Sequence, residues 1–334
     1  MLLNSNKLLF ILILIVSTLI TISANNWLGM WMGLEMNLMA FTPLISKKKD
    51  KKSSQAMMIY FLTQSIGSIV LLFSVMINSL IFLSPLLISE LTSIMIMISI
   101  LIKVGAAPFH FWLPEMMVNL NWDECMILMT WQKIAPLTIL HNLTPNNWFL
   151  YLSVVLSAMA GGIGGLNQTS LRKILAFSSI NHLGWMMMFM SMNSSWYKYL
   201  TIYSILVILI CWMFKSMNAL FINQLMTSSP SLFEKLTLTI TLLSIGGLPP
   251  FLGFLPKWMV IQSMISSGLY FIMVVMMLCS LLTLFYYLRL MTAFILSYSS
   301  MNKWISYKKP NKLMLLSFLL INLTLPVFMT VSFF

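Results

Sequence analysis

Residues 101–112 read LIKVGAAPFHFW, a stretch in which one lysine stands inside an apolar run and is followed closely by glycine and proline. Pro108 has no amide hydrogen and its ring clashes with the carbonyl of Val104, so a helix that contains Lys103 must be interrupted here. The same arrangement recurs in residues 246–258, GGLPPFLGFLPKW, which no regular helix can cross. Interrupted helices in membrane proteins mark places where ions bind. We therefore predict two broken helices, near 103–110 and 246–257.

The composition around these stretches is that of a membrane protein. Of the 334 residues, 60% are apolar and only 8% are charged, whereas a soluble domain carries ~25% charged residues. The runs are apolar on every face, which favours helices over a barrel, and ~20 apolar residues cross a bilayer as one helix. The sequence thus predicts an all-α integral membrane protein, a single transmembrane domain over residues 1–334. We place about eleven spans, near 8–24, 27–45, 57–83, 86–104, 124–140, 148–165, 174–191, 198–222, 236–265, 269–298 and 313–332.

The net charge of +12 is distributed over short loops on one side of these spans. Successive loops must lie on alternate sides of the membrane. This assignment places Lys198 on one side and the other loop cations on the opposite side, namely Lys7, Lys47 to Lys52, Arg172, Lys173, Lys235, Lys303, Lys308, Lys309 and Lys312. Basic short loops stay on the side of insertion, so the N-terminus and these loops lie inside. Separate loops do not form a nucleic-acid-binding stripe, and we expect no nucleic-acid partner. The run from Lys47 is a solvated loop, or a site for a partner or cardiolipin.

The three cysteines and the methionines carry no chemistry in this interpretation. Cys125, Cys211 and Cys279 stand singly in apolar runs, without the spacing that zinc or iron–sulfur sites require, and we expect small core residues. The 32 methionines indicate an invertebrate mitochondrial genetic code, and we expect an insect or other arthropod source. Nothing in the sequence predicts a flavin, haem, nicotinamide or metal site in this chain.

Four ionisable residues inside the spans are the candidate site. Each costs ~2.5–3.5 kcal/mol near the middle of a bilayer, so each needs a partner, a water path or a task. Glu35 lies in the second span, beyond Gly29 and Gly33, two small residues that allow a neighbouring helix to approach closely. The other three are lysines beside predicted breaks: Lys103, Lys257, and Lys133, where Pro136 frees the carbonyl of Gln132. A buried ion pair, or lysines that extend to the membrane surface, are the alternatives.

Histidines and glycines give weaker signals. His110 and His182 could support a proton relay because imidazole titrates near neutral pH, but either could equally be a packing residue. The glycine-rich stretch 161–165 ends a span and does not follow a strand, so it predicts close helix packing and no nucleotide site.

Several motifs resemble one known family. Residues 33–37, 103–112, 166–173 and 246–258 are similar to subunit 2 of animal mitochondrial NADH:ubiquinone oxidoreductase, respiratory complex I, an antiporter-like membrane-arm subunit. The resemblance implies a proton-translocating core subunit of an H⁺-translocating enzyme whose flavin, iron–sulfur clusters and ubiquinone belong to other subunits. It also implies that the protein lies in the mitochondrial inner membrane, with the basic loops in the matrix. The family's ancestral form has fourteen helices, and the resemblance implies that the first three of them are missing from this protein.

The resemblance also implies roles for the four charged residues. Glu35 and Lys103 would be the family's glutamate–lysine pair, Lys133 its central lysine, and Lys257 the lysine on the second broken helix. Burial weakens a lysine's hold on its proton and a nearby carboxylate strengthens it, so movement of Glu35 would switch Lys103. The expected partners are other membrane-arm subunits, accessory subunits and phospholipids. A purely structural subunit and a stand-alone cation/proton antiporter remain alternatives.

Overall fold

The computed structural model describes residues 5–46, 51–80, 85–143, 147–192, 194–227, 232–296 and 312–325. Its regular structure in these ranges is helical apart from one isolated bridge between Ser170 and Phe221, which confirms the all-α prediction. A three-residue 3₁₀ turn, Trp131–Lys133, lies between α6 and α7. The α-helices are α1 Ser5–Ser23, α2 Trp27–Ile45, α3 Lys51–Leu80, α4 Pro85–Val104, α5 Trp112–Asn119, α6 Trp122–Met129, α7 Ile134–Asn142, α8 Asn147–Gly164, α9 Leu171–Ser191, α10 Trp196–Ser216, α11 Ile222–Thr227, α12 Leu232–Gly246, α13 Phe254–Ser266, α14 Tyr270–Leu296 and α15 Lys312–Asn322.

Most of the predicted spans overlap one helix each, with some differences. The span predicted at 236–265 is divided into α12 and α13 by the predicted break, and the span predicted at 198–222 ends earlier, with α10. The span predicted at 124–140 is interrupted beside Lys133, where the 3₁₀ turn separates α6 from α7, as expected because Pro136 cannot donate a hydrogen bond to the Gln132 carbonyl. Two short helices, α5 and α11, were not predicted as separate elements. The part of the last predicted span beyond residue 325 lies outside the described residues, as do Lys47 to Asp50 and the predicted basic loop at 303–311.

The outer surface has the character expected in lipid. Within the described residues, three helical stretches are both long and apolar enough to cross a membrane, namely 51–78, 196–216 and 270–292. Large apolar side chains face outward on them, and Phe271 is 79% exposed while Ile69 is 67% exposed. Helices with so many large apolar side chains exposed would be unstable in water, so the fold is that of a membrane protein.

The chain divides into two compact units, residues 1–153 and residues 154–334, and each is described by itself. The single transmembrane domain over 1–334 stays a prediction. The first unit contains α1 to α7 with the start of α8, and the second contains the remainder of α8 with α9 to α15.

Glycines set the close helix contacts in both units, as the sequence predicted. In the first unit, a side-chain carbon at Gly33 would collide with the methyl group of Thr21 on α1. In the second unit, one at Gly161 would lie 2.5 Å from the backbone nitrogen of Asn181 on α9, and one at Gly165 would lie 2.6 Å from the ring of Tyr286 on α14. Stretch 161–165 is therefore a packing surface. The three cysteines are buried, which confirms them as core residues.

Candidate functional site

The first predicted break lies where the sequence places it. Helix α4 ends at Val104, Gly105 follows with a φ of +77°, and α5 begins only at Trp112. The end of a helix leaves carbonyls without helical partners. Here side chains supply two donors: Nε2 of Gln64 donates to the Lys103 carbonyl at 3.1 Å, and the indole of Trp112 donates to the Ile102 carbonyl at 3.1 Å. The interruption is thus a built feature of the fold.

Lys103 itself is buried at this break, with 5% of its surface exposed. Its side chain lies against Gly67 of α3, where an added carbon would be 2.9 Å from the Lys103 Cγ. The Glu35 carboxylate of α2 acts electrostatically on Lys103 and on the Tyr60 phenol. Oε1 of Glu35 is buried and has no hydrogen-bond partner in the structure. The structure thus brings Glu35 and Lys103 within electrostatic range and leaves this carboxylate oxygen available for another donor.

The third predicted feature, an interruption beside Lys133, is also present. Lys133 is the last residue of the 3₁₀ turn between α6 and α7 and is only 3% exposed. It lines one cavity of about 20 Å³ together with Lys103. A cavity of roughly 10–15 Å³ measured in this way holds one water molecule. Two of the predicted lysines therefore share a space that accommodates a water.

A hydrogen-bonded chain beside this cavity was not predicted from the sequence. The Tyr60 hydroxyl donates to Oε1 of Gln132 at 3.2 Å, and Nε2 of Gln132 donates to Oδ1 of Asn37 at 2.9 Å. The partners are 72 and 95 residues apart, so no local pattern could indicate them. All three side chains line the cavity shared by the two lysines.

Lys257 occupies the second predicted break, in the second unit. Helix α12 ends at Gly246 and α13 begins at Phe254, with Gly247 at a φ of +81° between them. The Lys257 ammonium is buried, and Nζ donates to the Gly246 carbonyl at 2.7 Å. That carbonyl is at the C-terminal, electronegative end of α12, where a cation is stabilised. The break and the lysine therefore form one site.

The two histidines have different surroundings. His110 lies inside the first break, where its ring stacks on Phe111 with 4.3 Å between centroids, and its Nδ1 has no hydrogen-bond partner. His182 is buried on α9, and its Nδ1 is 2.9 Å from the hydroxyl of Tyr199 on α10. The ring of Tyr203 is 5.0 Å away. A relay role for either histidine stays a prediction.

No metal centre is evident in the part of the chain that the structure describes, because no group of three or more His, Cys, Asp or Glu side chains is placed to hold an ion. The site is made of lysines, one carboxylate, amides and a phenol. Such groups hold and transfer protons and order water.

Buried lysines at interrupted membrane helices are typical of membrane proteins that move ions or protons. The family "NADH:quinone oxidoreductase/Mrp antiporter, TM" matches residues 24–283. A chain of respiratory complex I from Thermus thermophilus has the same fold, with a TM-score of 0.80 at 20% identity over 98% of this chain and 79% of that chain.

Closer relatives give the particular family. NADH-ubiquinone oxidoreductase chain 2 of Anopheles gambiae is 46% identical over 89% of this chain and 88% of its own length. The same subunit of Locusta migratoria is 43% identical over 93% and 91%. This chain belongs to the NADH-ubiquinone oxidoreductase chain 2 family, the antiporter-like, proton-pumping membrane-arm subunits of mitochondrial complex I. The predicted family, function and enzyme class are thereby confirmed, and the chain is a protein of the mitochondrial inner membrane that assembles with other complex I subunits.

Proposed function

We propose that Glu35, Lys103, Lys133 and Lys257 carry protons through this subunit, driven by electron transfer from NADH to ubiquinone in other subunits. The observation that carries the proposal is that all three lysines are buried, with 3–5% of their surface exposed, and each adjoins an interrupted helix. Lysines retained in a bilayer at this cost are typical of proton and ion pathways. Stability alone would be served better by apolar side chains of similar volume.

Proton transfer between Lys103 and Lys133 would use the cavity that they share. A direct transfer requires heavy atoms within hydrogen-bond distance or one bridging water. The cavity of about 20 Å³ is large enough for that water and has polar side chains in its wall. A single water molecule in this cavity would thus connect the two lysines.

Glu35 would act as the switch of the first lysine. Its carboxylate favours the protonated form of Lys103 when it is close, and burial favours the neutral form when it moves away. Oε1 of Glu35 has no hydrogen-bond partner, so no hydrogen bond at this oxygen opposes a shift of the carboxylate. A small displacement of α2 would therefore change whether Lys103 keeps or releases its proton.

Lys257 would receive the proton in the second unit. Its bond to the Gly246 carbonyl holds the ammonium at the end of α12, so the protonated form has a prepared partner. His182, with Tyr199 at 2.9 Å, is a possible intermediate carrier in this unit. His110 would serve at most at the edge of the first break.

The orientation of the chain follows from the distribution of charge, and its partners follow from the family. We propose that the N-terminus and the basic loops face the matrix, because cations in short loops remain on the side of insertion. The other subunits of the complex, accessory subunits and anionic phospholipids such as cardiolipin would contact this chain. Flavin, iron–sulfur clusters and ubiquinone would be bound by other subunits.

The test is proton pumping by assembled complex in sealed inner-membrane vesicles, measured against NADH oxidation. The variant is Lys133→Met, which removes the charge and preserves most of the volume. The matched control is Lys7→Met, at an exposed lysine in the first turn of α1. Native gels establish that both variants assemble.

We expect Lys133→Met to lower the proton-to-electron ratio, or coupled turnover, while Lys7→Met leaves both unchanged. An unchanged ratio in fully assembled Lys133→Met complex would remove this lysine from the path. That result would favour a subunit that only holds the membrane arm together.

A further inference from the structure

A chain of three neutral side chains joins separate helices beside the lysine cavity. Asn37 belongs to α2, Tyr60 to α3 and Gln132 to the 3₁₀ turn, and they are connected by the bonds of 2.9 Å and 3.2 Å described above. Asn37 and Tyr60 are each only 3% exposed, so these two side chains are shielded from bulk solvent. Buried polar groups are kept in a fold when they are paired, and these are paired with each other.

The hydrogen-bonded chain of Asn37, Gln132 and Tyr60 fixes the 3₁₀ turn that carries Lys133. Gln132 directly precedes Lys133 in the same turn, so its two hydrogen bonds attach that turn to α2 on one side and to α3 on the other. A 3₁₀ turn has poorer backbone hydrogen bonds than an α-helix and is a common position for a hinge. The side chain of Gln132 therefore supplies a constraint on Lys133 that the turn itself provides only weakly.

The same two helices also control Lys103. Helix α2 carries Glu35 two residues before Asn37. Helix α3 carries Gln64 one turn after Tyr60, and the side-chain amide of Gln64 donates a hydrogen bond to the Lys103 carbonyl. A displacement of α2 that alters the distance from Glu35 to Lys103 must therefore also pull on Gln132 through Asn37. Coupling between two sites needs an element with two arrangements that both sites bias, and α2 contacts both.

Two amides and a phenol suit this task because all three side chains are uncharged near neutral pH. Asn37, Tyr60 and Gln132 line the shared cavity, and they present polar atoms to a water there without adding a charge. They orient the water and the lysine, while the lysines alone gain and lose the proton. The three side chains that line the cavity are thus suited to position the water and Lys133.

We propose that Asn37, Gln132 and Tyr60 form a positioning chain that sets Lys133 against the shared water cavity and transmits movement of the Glu35 helix to the Lys133 turn. This inference rests on the proposed proton path through Lys133. The three are positioning residues that act through Lys133 and its water.

The alternative is that this hydrogen-bonded chain of side chains only stabilises the first unit. A structural role predicts less assembled complex but a normal proton-to-electron ratio in each complex that does assemble. A positioning role predicts a changed ratio, or slower coupled turnover, at equal assembly. The ratio per assembled complex therefore separates the two.

The experiment compares Tyr60→Phe, Gln132→Leu and the double variant in assembled complex in sealed vesicles. Tyr60→Phe removes one hydroxyl and keeps the ring, so the buried volume is preserved. Tyr197→Phe, on an exposed tyrosine, and Gln55→Leu, on an exposed glutamine, are matched controls. Loss of one hydrogen bond from the chain should slow coupled proton release about fivefold, whereas neither control should change it.

The double variant provides the decisive reading. If both residues act through one chain, the double variant should lose no more than Gln132→Leu alone, because that change already breaks both bonds. Normal coupled pumping in Tyr60→Phe, or losses that multiply in the double variant, would overturn the inference. If Gln132→Leu does not assemble, Tyr60→Phe decides by itself. Normal pumping in Lys133→Met would instead refute the proposed function on which the inference rests.

Discussion

Gly247 offers the sharpest test of how Lys257 is held at the second break. It has a φ of +81°, and a side-chain carbon at this position would lie 2.8 Å from Nζ of Lys257 and 2.9 Å from its Cδ and Cε. Gly247→Ala therefore has two costs. The left-handed backbone costs ~1–2 kcal/mol in a residue with a side chain. The displaced lysine loses its 2.7 Å bond to the Gly246 carbonyl, which is worth ~1.5–3 kcal/mol for a charged donor.

The sum is about 2.5–5 kcal/mol of local stability, and a matched control lies next to it. Gly246 has no atom within 3.7 Å of an added side-chain carbon and is helical, so Gly246→Ala should be nearly neutral. Amide hydrogen exchange in residues 246–257 of the assembled complex reports local opening directly. Each ~1.4 kcal/mol is a factor of ten. Gly247→Ala should therefore speed exchange at least fiftyfold or so, and Gly246→Ala should change it little.

A second background separates the two costs. In Lys257→Ala complex no ammonium is displaced, so Gly247→Ala should retain only the backbone cost of ~1–2 kcal/mol. Equal acceleration by Gly246→Ala and Gly247→Ala would refute the reasoning. So would an undiminished effect of Gly247→Ala without the lysine.

Two further predictions concern the second unit. Arg289 donates to the carbonyls of Leu166 and Gln168, so Arg289→Met should speed amide exchange in the loop after α8 about tenfold or more, and Arg289→Lys should fall between this variant and the parent. Tyr199→Phe removes the partner of His182 Nδ1, so amide exchange in α9 should rise about fivefold, with no change for Tyr197→Phe on the exposed surface. Unaltered exchange in the loop or in α9, respectively, would contradict these assignments.

The sequence predicts the interruptions of this fold well because their causes are local. Proline removes a donor and blocks the carbonyl four residues earlier, and both effects are visible in the letters around Lys103 and Lys257. The same reasoning found the change of geometry beside Lys133. Close packing at 161–165 was equally readable, because glycine is the residue that lets helices approach.

The missed elements depend on tertiary structure. Helices α5 and α11 have eight and six residues, too few for a periodic pattern to distinguish them from the neighbouring apolar segments. The hydrogen bonds of Gln132 join residues far apart in sequence, so only the packed fold reveals them. The pairing of Glu35 with Lys103 came from family resemblance, and the structure adds that Oε1 of this carboxylate has no hydrogen-bond partner.

The central claim is that the lysines form one path in series, and it is tested most directly by the proton-to-electron ratio of Lys133→Met, Lys257→Met and the double variant, each in assembled complex. Members of one series path fail together, so the account predicts the same reduced ratio in all three preparations. Separate partial losses that add in the double variant, or a normal ratio in either single variant, would contradict it.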